Sequence, residues 1–364
     1  MMEKYRDMSI RKKSNLKMIR NIIFFILLII FTFWFIFKDQ DIHELVRVIR
    51  SVNLTYVFIG IFFMMLVYLT ESYNVRSVLV SLGEKKVSMF TALKFTWIGF
   101  FFSAITPAAT GGQPVEVYYM TKEKISTANG TMAMLLQLCG FQISTLSISI
   151  ICACFYPSLL GNGVIWFYLL GIGLNGIALT FMLIGIFSSK MTKKLVDIFV
   201  GLLKLAKVKN LEKKRIKIEE GLNQYNESAV FILAHKKEFF KAILRVFVQI
   251  IFYHSVPYFV YRAFGLSTHG FLEVFATQAI LYTTVSSLPL PGAIGVSETL
   301  FLKIFGPLFG KNILNGAMLI YRFISFYFYI IVSVVVVIVN AIQVKDIQSE
   351  IDENIDMIDA EASL

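Results

Sequence analysis

The stretch that most constrains the fold is Leu288–Glu298, which reads LPLPGAIGVSE and lies between two apolar segments. It places two prolines and two glycines within eight residues. Such a run cannot continue a regular helix, because proline lacks the N–H and glycine is conformationally free. The hydrocarbon region of a membrane tolerates irregular backbone only where protein or a water-filled cavity surrounds it. The stretch therefore predicts a broken helix inside a membrane protein, with the carboxylate of Glu298 directly after the break.

A second stretch, Thr106–Glu116, has the same character and reads TPAATGGQPVE. The chain of 364 residues around these breaks is 57% hydrophobic and 16% charged, with a mean hydropathy of +0.69. This composition excludes a soluble globular protein and is typical of a multi-span membrane protein. The three cysteines all lie in apolar runs, which indicates neither a disulfide framework nor a metal site. We predict no catalytic residue, no metal and no cofactor.

The hydropathy pattern predicts an all-α polytopic membrane protein with about six full spans and two re-entrant or broken helical elements. A crossing takes roughly 20 apolar residues. The segments that approach this length are residues 22–37, 54–70, 131–156, 164–187, 242–261 and 313–342. Shorter apolar segments flank the breaks, and each pair forms either a re-entrant hairpin or a single broken crossing.

Polar segments divide the chain further. Residues 1–20 form a basic tail, residues 344–364 an acidic tail, and residues 21–343 the membrane domain between them. Within that domain, residues 188–245 carry 14 Lys and Arg against six acids. The positive-inside rule places the basic tail and this basic loop in the cytoplasm. The acidic tail is expected on the same side. A solvated loop is the favoured interpretation, and a surface helix that concentrates anionic lipid is the alternative.

The two breaks lie in similar surroundings. In each half an arginine precedes the break and a glutamate follows it: Arg76 and Glu116 in the first, Arg262 and Glu298 in the second. The first unit is entered from the cytoplasm and the second from outside. This arrangement indicates inverted repeats, in which broken helices meet near the midplane and form a binding site. Half-helix N-termini there favour an anion such as a lipid phosphate.

Several polar residues within the spans have two interpretations. Glu71 and Arg76 follow the second span either as an interfacial pair or as site residues. Arg322 lies inside the last span, where a charge is costly, so it is expected to face protein or a cavity. His254 is expected to be satisfied by a neighbouring helix rather than to carry protons. The glycines of Gly171–Gly176 are expected to allow close helix approach and not to bind a dinucleotide.

Three segments together resemble a known family. They are Thr106–Pro114, the run Val117–Met120, and Ser287–Glu298 with its pattern P-G-x-x-G-x-x-E. They resemble the lysylphosphatidylglycerol synthase transmembrane region family, also called the flippase-like domain, which includes the membrane half of the multiple peptide resistance factor (MprF). The resemblance covers about residues 20–343. Many members have an arginine and a G-E pair in the first motif where this chain has Ala109 and Gly112-Gln113.

The resemblance implies a protein of the bacterial cytoplasmic (inner) membrane, with both termini cytoplasmic, that moves phospholipids between leaflets. The expected substrates are phosphatidylglycerol or lysylphosphatidylglycerol, with effects on membrane charge and cationic peptide resistance. Full-length members add a soluble synthase domain that transfers lysine from lysyl-tRNA to phosphatidylglycerol. The last 20 residues are too short for that domain, so we expect the translocation half, not an enzyme by itself, with a separate synthase as partner.

Two alternatives remain at this stage. One is a phosphatidylglycerol lysyltransferase, or a subunit of it, which would bind tRNA; otherwise no nucleic acid is expected. The other is a small-solute secondary transporter that uses the same broken-helix site. A homodimer through small-residue faces also stays open.

The predicted substrate-binding residues fall into three groups. The charged groups expected at the headgroup are Glu71, Arg76, Glu116, Glu298 and Arg322. The residues expected to break the helices are Pro107, Gly111, Gly112, Pro291, Gly292 and Gly295. The residues expected to line the path are Gln113, Tyr118 and Tyr119.

Overall fold

The structure is a computed structural model of the chain, which divides into two units, residues 1–52 and 53–364. It describes residues 46–47, 50–106, 109–161, 163–188, 190–191, 193–194, 197, 201, 226–227, 229–232, 234–286, 296–310 and 312–340, without the side chains of 296–298. In the first unit, residues 46, 47 and 50 are helical. The predicted span 22–37, both tails and much of the basic loop lie outside the described residues.

The second unit contains nine α-helices whose bounds are described. They are α1 (Leu54–Ser81), α2 (Met89–Ile105), α3 (Gly112–Lys122), α4 (Thr127–Phe155), α5 (Val164–Phe187), α6 (Lys236–Ala263), α7 (Phe271–Val285), α8 (Val296–Phe309) and α9 (Leu314–Asn340). A short 3₁₀ turn, Pro157–Leu160, connects α4 to α5. A π-helical turn, Phe323–Tyr327, interrupts α9.

Five of these helices (α1, α4, α5, α6 and α9) are long and apolar enough to cross a membrane, so the predicted polytopic fold is confirmed. Two predicted bounds are wrong. Helix α1 continues past Thr70 to Ser81, and α6 begins at Lys236 rather than Ala242. The apolar run of α1 ends at polar residues, but these form hydrogen bonds with other helices. Ser72 Oγ, for example, donates to Thr96 Oγ1 on α2 at 2.9 Å. The helix can therefore continue through them.

The first break joins two antiparallel half-helices, α2 and α3. Lys94 in the first turns of α2 forms an ion pair with Glu123, directly after α3. Nearer the break, Gly99 lies against Glu116, and Gly112 lies against Ser103. Both outer ends of the pair therefore lie on the same side of the bundle. This is the re-entrant geometry, and the single broken crossing is excluded for this element.

The second break joins α7 and α8, whose outer ends also lie together. The rings of Tyr258 and Phe271 are 5.2 Å apart, which places the start of α7 beside the C-terminal end of α6. The rings of Tyr261 and Phe309 are 5.5 Å apart, which places the end of α8 at the same position. This pair is therefore a second re-entrant hairpin.

The two halves of the unit repeat one another in order and length. Helices α1 to α4 have 28, 17, 11 and 29 residues, and α6 to α9 have 28, 15, 14 and 27. Their first helices are antiparallel, because the N–H of Asn53 donates to the C=O of Ala263 at 2.9 Å and Gln249 contacts Glu71 further along. Hairpin α2–α3 therefore enters the bundle from one end and hairpin α7–α8 from the other, as inverted repeats require.

Helix α5 packs against the second hairpin through one glycine. A Cβ on Gly171 would lie 2.3 Å from the backbone oxygen of Thr283, so only glycine fits there. Asn175, one turn later, donates to the same oxygen at 3.2 Å. The predicted close approach is confirmed at Gly171, whereas Gly173 and Gly176 have nothing within 4 Å.

A buried cluster of the described residues lies mainly between α1, α2 and α4. Its fully buried members include Leu79, Phe95, Met132 and Leu136. Since lipid tails are as apolar as these side chains, close packing and buried polar contacts hold such helices together more than water exclusion does.

Candidate functional site: a cavity between the two hairpins

A cavity of about 380 Å³ lies where the two hairpins approach each other. Its walls come from the middle of α1 and α6, from the inner ends of both hairpins, and from α4 and α9. The described lining residues are Met64, Val67, Tyr68, Glu71, Phe100, Ser103, Ala104, Ala109, Phe141, Gln249, Ile250, Tyr253, Gln278, Leu281, Tyr282, Val285, Ser286, Phe301, Met318, Tyr321, Arg322, Ser325 and Phe326. The position fits the midplane site of an inverted-repeat transporter.

Among the described lining residues, Glu71 on α1 has an acidic side chain and Arg322 on α9 a basic one. Both were predicted as site residues. Glu71 Oε2 accepts a hydrogen bond from Gln249 Nε2 at 2.9 Å, and within the described part of the chain Oε1 has no partner. One cavity wall thus presents a carboxylate and another a guanidinium, which suits a ligand that carries both a positive and a negative group.

A cluster of polar side chains lies next to Arg322. Tyr321 Oη accepts from Gln278 Nε2 at 2.7 Å and lies 3.2 Å from Tyr253 Oη. The π-helical turn begins directly after Arg322 and contributes Ser325 and Phe326 to the wall. Such turns are frequent at functional sites, because the extra residue re-aims neighbouring side chains.

Aromatic rings form much of the remaining wall. Tyr68, Tyr253, Tyr282 and Tyr321 line the cavity with four phenylalanines. Phe301 stacks on Tyr321 at 5.6 Å, and Tyr253 meets Tyr282 edge-on at 5.2 Å. Ring faces attract cations, so a ring face exposed to the cavity would add to the attraction of Glu71 for an ammonium group.

The first break presents strained backbone to the cavity. Ala109 lines the wall with φ of 54°, a left-handed conformation that costs a residue other than glycine roughly 1–2 kcal/mol. Thr106 supports the break, because its Oγ1 accepts from the N–H of Gly111 at 2.9 Å and donates to the C=O of Phe102 at 2.7 Å. Strain of this kind is concentrated at ligand-binding segments.

Glu116 is buried inside the first hairpin and is absent from the cavity wall. It is 4% exposed, and within the described residues its Oε2 has no hydrogen-bond partner. A Cβ on Gly99 would lie 1.9 Å from Glu116 Oε1, so the glycine makes room for this carboxylate. Glu116 is therefore placed one helix away from the cavity.

The other predicted residues have diverse placements. Arg76 does not pair with Glu71: its Nε donates to the C=O of Val87 at 2.9 Å, so the interpretation as an interfacial pair is wrong. Tyr118 is exposed, and Gly111, Gly112, Gln113 and Tyr119 lie in the hairpin outside the described wall. Pro107, Pro291, Gly292, Gly295 and the side chain of Glu298 lie outside the described residues, and their roles stay predictions.

Sequence reasoning missed the uncharged part of the site. Gln249, Gln278, Tyr253, Tyr282 and Tyr321 all lie on the cavity wall. Glutamine in the middle of an apolar span was the available signal, because a buried amide needs hydrogen-bond partners that lipid cannot supply.

His254 also differs from the prediction. It is fully buried between the rings of Tyr253, Tyr282 and Phe275, but neither ring nitrogen has a hydrogen-bond partner in the described part of the chain. The neighbouring helix therefore surrounds this histidine without satisfying it. Among the described residues, no group of three or more His, Cys, Asp and Glu side chains could hold a metal ion.

A family model matches most of the chain. The family model described as the lysylphosphatidylglycerol synthase TM region matches residues 22–333, which include both hairpins and every wall of the cavity. The search of curated proteins gave no match.

Proposed function

Since the chain belongs to the lysylphosphatidylglycerol synthase TM region family, we propose that it is a phospholipid translocase for an anionic or lysyl-modified lipid such as lysylphosphatidylglycerol. The observation that carries the proposal is the cavity between two oppositely inserted re-entrant hairpins, with Glu71 and Arg322 on its wall. In transporters of this architecture, rocking or gating of one repeat against the other exposes such a site to each side in turn.

The wall chemistry supports a headgroup rather than a whole lipid as the occupant. Arg322 can bind a phosphate oxygen, while Glu71 and the tyrosine rings can bind an ammonium group. A cavity of about 380 Å³ is at the small end of ligand sites. The acyl chains therefore remain in the lipid while the headgroup crosses.

The proposal extends to the surroundings of the site. The membrane is the bacterial inner membrane, both termini are cytoplasmic, and a separate synthase supplies the lysyl lipid. Outward movement of that lipid lowers the negative charge of the outer leaflet and with it the attraction of cationic peptides. Glu298 and the residues Pro291, Gly292 and Gly295 of the second break complete the proposed headgroup site.

Purified protein in liposomes provides the test. Fluorescent phosphatidylglycerol and lysylphosphatidylglycerol are placed in one leaflet, and a membrane-impermeant quencher follows their redistribution. Faster redistribution than in protein-free liposomes is expected for at least one lipid. Redistribution that stays at the protein-free rate for both lipids would overturn the proposal. Uptake of a labelled solute, or lysyl-lipid formation from lysyl-tRNA, would then identify a transporter or a lysyltransferase.

A further inference from the structure

A row of buried amides leads away from the cavity carboxylate. Gln249 Nε2 donates to Glu71 Oε2 at 2.9 Å, and Gln137 Nε2 donates to Gln249 Oε1 at 2.8 Å. Asn74 Nδ2 donates in turn to Gln137 Oε1 at 2.7 Å, and Arg245 Nη1 reaches Asn74 Oδ1 at 3.5 Å. We refer to Asn74, Gln137 and Gln249 as the amide relay. It connects α1, α4 and α6.

The three side chains of the relay are buried. Asn74, Gln137 and Gln249 are 0%, 6% and 2% exposed. Each amide uses both its carbonyl and its amino group within the row, so a break at one position leaves buried polar groups unpaired elsewhere. An unpaired buried polar group costs about 1–3 kcal/mol. The row therefore behaves as one unit.

Both ends impose the same direction on the relay. Arginine only donates hydrogen bonds, so Arg245 requires the carbonyl of Asn74 to face it. A carboxylate that binds a cation is ionised and only accepts, so in that state Glu71 requires the amino group of Gln249. Between these ends every amide has a single compatible orientation, with its amino group toward the cavity. Arg245 is held in turn by the ring of Tyr73, 5.3 Å from the guanidinium carbon.

We infer that Asn74, Gln137, Gln249 and Arg245 are positioning residues that orient Glu71 as the cation-selecting carboxylate of the cavity. A donor fixed on Oε2 leaves Oε1, which has no partner among the described residues, for an ammonium group on the ligand. Asn74, Gln137 and Arg245 act on the ligand only through Glu71, since none of them lies on the described cavity wall. This inference rests on the proposed function for the choice of probe lipids.

The direction in which a substitution changes cation binding distinguishes the relay from a purely electrostatic effect. Arg245→Gln removes a positive charge, which through space would strengthen binding of a cation. It also removes the donor-only end of the relay. Asn74→Asp adds a negative charge, which through space would again attract a cation. However, it replaces the donor to Gln137 by an acceptor and so favours the reversed row, with the carbonyl of Gln249 facing Glu71. The relay predicts weaker ammonium binding in both variants.

The experiment measures binding by full-length protein in detergent micelles. Thermal stabilisation by lysylphosphatidylglycerol and by phosphatidylglycerol gives a ratio of the two dissociation constants. The wild type should favour the lysyl lipid. Arg245→Gln and Asn74→Asp should lower this preference about tenfold, roughly the factor that one hydrogen bond to a charged group contributes. Arg245→Lys keeps a cation that only donates hydrogen bonds, so this variant should retain the preference for the lysyl lipid.

Lys241→Gln provides the matched control. Lys241 lies one turn before Arg245 on α6 and pairs with Glu238 at the surface, so its loss should leave the preference unchanged. An unchanged or increased preference in Arg245→Gln and Asn74→Asp would overturn the inference, as would a wild type that binds both lipids equally. A wild type that prefers the lysyl lipid but does not move it in liposomes would refute the translocase proposal and leave the relay intact.

Discussion

The backbone N–H of Asn53, at the start of α1, donates to the C=O of Ala263, at the end of α6, at 2.9 Å. This contact fixes the first helices of the two halves side by side in opposite directions. Each is followed by a re-entrant hairpin, so the hairpins must enter the bundle from opposite ends. Their inner ends meet at the cavity, where Ala109 of one break and Ser286 at the edge of the other share a wall.

The hairpin geometry predicts which chain segments share a side of the membrane. Lys85 precedes α2 and Lys124 follows α3, whereas Ser267 precedes α7 and Asn312 follows α8, and all four are exposed. Single cysteines at these positions, in a background without Cys139, Cys152 and Cys154, should react with an impermeant thiol reagent in two pairs. Lys85→Cys and Lys124→Cys should react from one side, and Ser267→Cys and Asn312→Cys from the other. Labelling of Lys85→Cys and Lys124→Cys from opposite sides would contradict the re-entrant hairpin.

The close approach of α5 to α7 predicts that neighbouring glycines of α5 differ in how well they tolerate substitution by alanine. Gly171→Ala places a methyl group against the backbone oxygen of Thr283 and should destabilise the protein by about 1–3 kcal/mol, as overpacking commonly does. Gly173→Ala meets open space and should be neutral or stabilising by up to about 1 kcal/mol, because alanine is the better helix former. Thermal unfolding in detergent compares the two variants. Equal unfolding temperatures for the two variants would show that the contact at Gly171 is not restrictive.

Because of its surroundings, His254 is predicted to be replaceable by phenylalanine without loss of lipid redistribution. His254→Phe removes two ring nitrogens that have no partner in the described part of the chain and keeps a flat ring among Tyr253, Tyr282 and Phe275. Since an unpaired buried polar atom costs about 1–3 kcal/mol, the variant should unfold at the same or a higher temperature. Lipid redistribution should continue at the wild-type rate. A stable His254→Phe protein that no longer moves lipid would instead assign this histidine a role in transport.

The sequence was sufficient for five of the predicted spans and for the two breaks, because both depend on local composition. Proline and glycine clusters mark the breaks, and the apolar runs mark five of the helices seen. The re-entrant geometry was not fixed by composition, since it depends on contacts such as that of Lys94 with Glu123 across the first hairpin.

The sequence left two positions open for Glu71, an interface or the site, for a physical reason. Glu71, Ser72, Asn74 and Arg76 together end the hydropathy signal, which makes this segment resemble an interface. In the structure Glu71 accepts from Gln249 and Asn74 donates to Gln137, partners that lie 178 and 63 residues away. Local patterns do not contain such distant pairings. The same limit explains why Arg322, an isolated charge in a long apolar run, was predicted at the site while the amides were not.

We propose that the cavity carboxylate of Glu71 binds the moving headgroup. The most direct measurement is the rate of lysylphosphatidylglycerol redistribution in liposomes that contain wild type, Glu71→Gln or Glu273→Gln. Glu273 is the matched control, because it lies in the first turn of α7 and contacts His269 at 3.0 Å, outside the cavity wall. The account predicts wild-type rates for Glu273→Gln and a rate at least about tenfold lower for Glu71→Gln, the loss expected for one ionic contact. Wild-type redistribution in Glu71→Gln would contradict it.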